Sequence, residues 1–205
     1  MFDTDSFKVF EIEGLAPRMI AIRQEIQPIF QSIGEILKER IASSIGQSCF
    51  LHIAQHRRRT AYAPDNTWCA ISTQKRGYKM EPHFQLGIWQ NYVYLYLSII
   101  DQPKSKMLAA NYLAENPALL TQLPKQFVFS KDHTVPSFQS ITEPAFQQAI
   151  LRFQNVKKSE LEIGKVFLKS QFEATSDQQM ITDFLNVIDQ LLPLYQKLLI
   201  VTSDY

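Results

Sequence analysis

The run "HFQLGIWQNYVYLYLSII", residues 83 to 100, restricts the fold more than any other stretch of the chain. Apolar residues alternate with polar or aromatic ones on both sides of Gln90 and Asn91. Side chains of a strand point to opposite faces in turn, so this period predicts two strands, and the two-residue break predicts a hairpin. The facing pairs are then Trp89 with Tyr92, Gly87 with Tyr94, Gln85 with Tyr96 and His83 with Ser98, although Gln is a poor fit to the positive φ of a type I′ turn. One face holds Phe84, Leu86, Ile88, Val93, Leu95, Leu97 and Ile99 and must meet helices. The other holds His83, Gln85, Gly87, Trp89, Tyr92, Tyr94, Tyr96 and Ser98, rings with polar tips over a glycine floor. Such a face suits a ligand, and it equally suits aromatic pairing that only stabilises the sheet. A slip of one residue would exchange the two faces.

The flanking segments supply the partners. Phe7 to Ile12 reads as a first strand, closed by Gly14. From Leu15 to Ser43, Met19, Ile22, Ile26, Ile29 or Phe30, Ile33, Leu37 and Ile41 recur at helical spacing, and Pro28 forces a kink or a second helix start. Cys49 to Gln55 and Thr67 to Thr73 add two strands before the hairpin. Beyond it, residues 104–123 read as helical with a break at Asn116 and Pro117. A strand "QFVFS", a loop "KDHTVPS" and a helix from Glu143 with Pro144 in its first turn follow. "ELEIGKVFLKS" is a further strand, and Ser176 or Asp177 caps a last helix that Pro193 kinks. This order predicts an α+β fold: one domain over residues 1–205, with a mainly antiparallel sheet covered by helices on one face.

With 205 residues and 45% hydrophobic content, the core needs neither disulfide nor structural metal. Cys49 and Cys69 lie in apolar, strand-like runs and read as buried thiols. The acidic start "MFDTDSFKVF" lacks the pattern of a secretory signal. "YVYLYLSII" is about half a membrane span. A cytoplasmic location with no membrane partner is the expectation.

The formal charge is +1, too small for a general nucleic-acid coat. It is unevenly spread: the window from His52 to His83 carries a net +4 from Arg57, Arg58, Arg59, Lys75, Arg76 and Lys79 against Asp65 and Glu81. No GxGxxG or GxxxxGK[ST] loop is present. The four histidines are His52, His56, His83 and His133, the last directly after Asp132. The expected site is a cleft lined by His52, His56, Arg58, Arg59, Trp68, Arg76, Tyr78, Lys79, His83, Gln85 and His133. In a strand at most one of Arg58 and Arg59 faces it, unless a bulge or turn intervenes. Its ligand is an anionic small molecule, phosphorylated or nucleotide-like, with Arg and Lys on the charge and rings stacking on the rest. RNA binding or a protein-interaction role is the alternative within recognition. An enzyme is the alternative from another class: His83 or His133 as acid/base, with Asp132 positioning a histidine. Zinc on the histidines is a further alternative. Because the HxxxH spacing lacks an HExxH motif or a cysteine pair and arginines repel a cation, no metal or cofactor is expected.

"HIAQHRRR", "NTWCA", "KRGYKMEPHFQLGIW", "KDHT" and "VKKSELEIG", in this order, resemble the YktB-like family of bacterial proteins of unknown function. The resemblance covers nearly the whole chain and is most specific from Arg76 to Trp89. It implies a single-domain α+β protein whose sheet is covered by helices. It implies no activity and no catalytic residue.

Overall fold

The computed structural model describes residues 1–101, 105–142 and 144–203. Its strands are β1 (Phe50–Ile53), β2 (Asn66–Ser72), β3 (His83–Trp89), β4 (Tyr92–Ile99), β5 (Val128–Ser130), β6 (Gln139–Ser140) and β7 (Leu161–Leu168). They form one sheet in the order β1-β2-β3-β4-β7-β5-β6, antiparallel at every pairing. The hairpin has the register that its alternation predicts, with Gly87 opposite Tyr94, Gln85 opposite Tyr96 and His83 opposite Ser98.

The helices are α1 (Thr4–Lys8), α2 (Leu15–Ala21), α3 (Gln27–Ile45), α4 (Lys106–Glu115), α5 (Pro117–Thr121), α6 (Pro144–Asn155), α7 (Lys169–Ala174) and α8 (Asp177–Thr202). A π-helical turn, Ile22–Ile26, joins α2 to α3, and Pro28 sits in the first turn of α3, where its missing N–H costs nothing. Asn116 and Pro117 separate α4 from α5 as expected, and Ser176 caps α8. The predicted helix starts at Lys104 and Glu143 lie outside the described residues.

The N-terminal strand is a correction. Residues 4–11 form α1 and a 3-10 turn, Val9–Glu11. Asp3 and Ser6 cap that helix reciprocally: Asp3 accepts from the Ser6 N–H at 2.9 Å, and the Asp3 N–H donates to Ser6 Oγ at 3.2 Å. Capping satisfies donors that a helix start leaves free, and Phe7, Val9 and Phe10 are all buried from the helical turns.

α3 and α8 pack on one another and on the sheet. Beneath them lie Cys69, Ile71, Phe84, Leu86, Ile88, Val93, Leu95, Leu97 and Ile99, joined by Ile163 and Phe167 of β7. α8 is the one described helix long and apolar enough to cross a membrane, and its Phe184, Val187, Ile188 and Leu191 are spent on this core.

The second face is buried too, but by other means. Trp89, Tyr92, Tyr94 and Tyr96 form a cluster of their own with Val128 and Val166, all strand residues. Tyr94 and Tyr96 stack at 4.7 Å between centroids, and Phe138 covers Tyr92. A Cβ on Gly87 would run into the Tyr94 ring, so the glycine floor is a steric requirement.

Candidate functional site

Register places the polar residues of the second face in rows. Ser98 of β4 lies opposite His83 of β3 on one side and Glu162 of β7 on the other, and Glu162 lies opposite Ser130 of β5. His83, Ser98 and Glu162 are 0%, 0% and 2% exposed. The Ser98 hydroxyl donates to Glu162 Oε1 at 2.9 Å. Burial outweighs this bond and pushes the Glu162 carboxyl up to about 7. Burial also pushes His83 down to about 4, so it is neutral at neutral pH. Its Nδ1–H donates to the Glu81 carbonyl at 2.9 Å, which leaves Nε2 as the acceptor.

One row further along β3 and β4, Gln85 lies opposite Tyr96, and its amide Nε2 donates to the Tyr94 hydroxyl at 2.8 Å. Gln85 Oε1 and His83 Nε2 are then both buried acceptors without a donor. Turning the amide over would let the Tyr94 hydroxyl donate to Gln85 Oε1. The Tyr96 hydroxyl has no partner among the described residues and is not relieved by that exchange.

Toward β1 the face becomes aromatic and cationic. The 3-10 turn Tyr78–Met80 begins at Gly77, whose φ of 75° few other residues tolerate. It carries the Tyr78 ring between His52, at 5.1 Å, and His83, at 4.9 Å. Trp68 Nε1–H donates to the Tyr78 hydroxyl at 2.9 Å, His56 meets the indole edge-on at 5.3 Å, and the Lys79 ammonium lies 5.7 Å from the indole ring. The His52 Nε2–H donates to the Gln74 carbonyl at 2.9 Å. Glu81 fastens the loop by accepting from the N–H and hydroxyl of Thr73, at 2.7 Å and 3.0 Å. Burial, then the Arg59 charge, push His56 down to about 4.

At the end of β4 a charged clasp joins three segments. Lys79 Nζ lies 2.6 Å from Asp101 Oδ2, and the Asp101 N–H donates to Glu160 Oε1 at 3.0 Å. Glu160 Oε2 accepts from His133 Nδ1–H at 2.7 Å and from the His133 backbone N–H at 3.2 Å. Burial works against the charged forms, but the contact itself wins: Glu160 raises His133, and His133 lowers Glu160. Asp101 is held at a φ of 55°, and His56 at 50°; they are the two described non-glycine residues with positive φ, and both belong to this region.

The structure thus gathers His52, His56, Trp68, Tyr78, Lys79, His83 and Gln85, with His133 linked to them through Lys79 and Asp101. Three expectations change. β1 ends at Ile53, so Arg58 and Arg59 do not alternate along a strand; they lie in an exposed loop, where Arg59 reaches only the Tyr62 and Ala63 carbonyls at 3.4 Å. Arg76 lines a separate 810 Å³ cleft between its own loop, Ile45 and Gln47, and the end of α8 at Lys197 and Ile200. Asp132 does not position a histidine: its carboxylate accepts from the N–H and hydroxyl of Thr134, at 2.8 Å and 2.6 Å, closing a local turn. Glu160 holds His133 instead. Nor do the four histidines form a common ligand set. Glu160 and Glu162 were the residues that sequence reading passed over. Their alternation with the buried Leu161 and Ile163 was the available signal, because it sends both carboxylates to the tyrosine side of β7.

Fold and face together define the class: an α+β protein on one seven-stranded antiparallel sheet, helix-packed on one side and carrying a largely buried polar and aromatic layer on the other. A family model described as "Domain of unknown function (DUF1054)" matches residues 2–195, and the chain belongs to that family. It is 52% identical over 200 residues to the UPF0637 protein YsbB of Lactococcus lactis subsp. lactis (strain IL1403), covering 97% of this chain and 99% of the relative. A UPF0637 protein of Enterococcus faecalis is 46% identical over 196 residues, with 96% and 97% covered. The UPF0637 protein lmo1065 of Listeria monocytogenes is 36% identical over 195 residues, with 95% and 96% covered. None of these names states an activity.

Proposed function

We propose that this chain binds a small anionic molecule, phosphorylated or nucleotide-like, against Trp68. The observation that carries the reading is the half-buried indole itself, ringed by Tyr78, His56 and the Lys79 ammonium. A loop with three exposed arginines, Arg57, Arg58 and Arg59, leads away from His56, and none of the three forms an ion pair among the described residues. Stacking on Trp68 would hold a base or other flat group, and guanidinium groups suit phosphate oxygens. The narrower kinship with YktB-like proteins and a cytoplasmic location belong to the same reading.

Tryptophan fluorescence tests it, since Trp68 has a single companion, Trp89, which is 7% exposed. Titration with adenosine monophosphate should give a saturable change that adenosine alone does not match, and a triple Arg57/Arg58/Arg59→Ala variant should weaken it about tenfold or more. A steep loss of affinity with salt for oligouridylate, without a response to mononucleotides, would turn the reading toward RNA. No response to any phosphorylated probe would end it.

A further inference from the structure

We propose that Asp101, His133 and Glu160 form a binding site for a divalent transition-metal ion such as zinc or manganese. One ligand atom from each of the three side chains lies within 4.8 Å of the other two. One imidazole nitrogen and two carboxylate oxygens make a donor set suited to these ions, while calcium and magnesium favour oxygen alone. The set is held before any ion arrives. Both Glu160 oxygens are fixed by N–H groups of the other two residues, at 3.0 Å from Asp101 and 3.2 Å from His133. Asp101 is exposed and the other two are half-buried, so an ion can enter from solvent and find positions left for water.

Lys79 shows where positive charge is wanted. Its ammonium lies 2.6 Å from Asp101 Oδ2, and the His133 Nδ1–H points at Glu160 Oε2 from 2.7 Å, so donors already face both carboxylates. A divalent ion would meet the same two carboxylates with a single centre of positive charge. It would displace the ammonium from Asp101 and take the place of the proton on His133 Nδ1, so Lys79 competes with the metal. This inference does not depend on the anion site at Trp68, and its ligands differ from the histidine set weighed from sequence.

The test is calorimetric titration of the EDTA-treated full chain with zinc chloride and, separately, manganese chloride. One ion per chain should bind to at least one of them. His133→Ala and Asp101→Asn should each weaken that binding about tenfold or more, while Lys79→Met, which removes the competing ammonium, should tighten it several-fold. If His133→Ala fails to fold, Glu160→Gln and Lys79→Met decide by the same criteria. Absence of saturable binding, binding that is unchanged in the ligand variants, or a Lys79→Met protein that binds more weakly than wild type overturns the site.

Discussion

Leu95 and Tyr96 are neighbours in β4, 0% and 3% exposed, and they show the two ways in which this sheet is closed. Leu95 lies in the core that α8 covers, among side chains that are mostly aliphatic or phenyl, with the buried Tyr195 hydroxyl as an exception. Tyr96 faces a layer of rings, serines, a glutamine, a histidine and a carboxyl that share few hydrogen bonds among many buried polar atoms. An apolar interior repays burial with solvent-driven stability, whereas a polar one repays it only when its donors and acceptors are matched. What sets the second face apart is the buried Glu162 carboxyl, pushed up to about 7, and groups perturbed in this way cluster at functional sites.

Mutation should separate the faces, first by size of effect. Leu95→Ala leaves a void in the helix-covered core and should cost roughly 2–5 kcal/mol by denaturant unfolding, to the same extent across pH 5 to 8. A cost that varied with pH would mean that the helix-covered face is coupled to the titrating layer behind it.

Glu162→Gln keeps the acceptor for Ser98 and removes the ionisation. Because the folded carboxyl titrates at about 7 against 4.5 in the unfolded chain, the wild type is favoured most below the unfolded value and loses stability as pH rises between the two. The variant should escape that loss, gaining up to about 3 kcal/mol over wild type at pH 8 and little at pH 4. A stability difference that stays flat with pH would show that Glu162 is not strained by its burial.

The smallest effect sharpens the contrast most. Tyr96 and Tyr195 each bury a hydroxyl without a described partner, one on each face. Either Tyr→Phe change should be neutral or stabilising by up to about 1 kcal/mol in thermal melts. A clear destabilisation of either variant would show that its hydroxyl is satisfied after all, for example by a buried water.

What could be read beforehand followed from strict periodicity. The hairpin register is legible because Phe84, Leu86, Val93 and Leu95 leave one arrangement that buries them all. α1 was hidden because Phe7 and Val9 mimic a strand, and the Asp3–Ser6 cap that decides otherwise is two short polar side chains. β6 has two residues, too few for any period. The clasp was illegible for a different reason. Asp101, His133 and Glu160 are brought together by β7 sitting beside β4, and nothing local to "KDHT" shows that its neighbour in space is Glu160 while Asp132 turns to Thr134. The basic window had the right residue types, but the turn after β1 divides them, sending Arg57 to Arg59 outward and leaving Trp68, Tyr78 and Lys79 at the sheet.

The same strand order bears on how the chain reaches this state. β3 and β4 can zip through a two-residue turn, but the Ser98–Glu162 contact waits on closure across 64 residues. Until β7 docks, the aromatic strand "YVYLYLSI" is an open edge with unpaired backbone groups, a template for pairing with another nascent chain. Pulsed hydrogen exchange during refolding should therefore protect β3 and β4 amides facing each other before those of β7. Variants that slow β7 docking should aggregate from the β4 edge even when their final stability is intact.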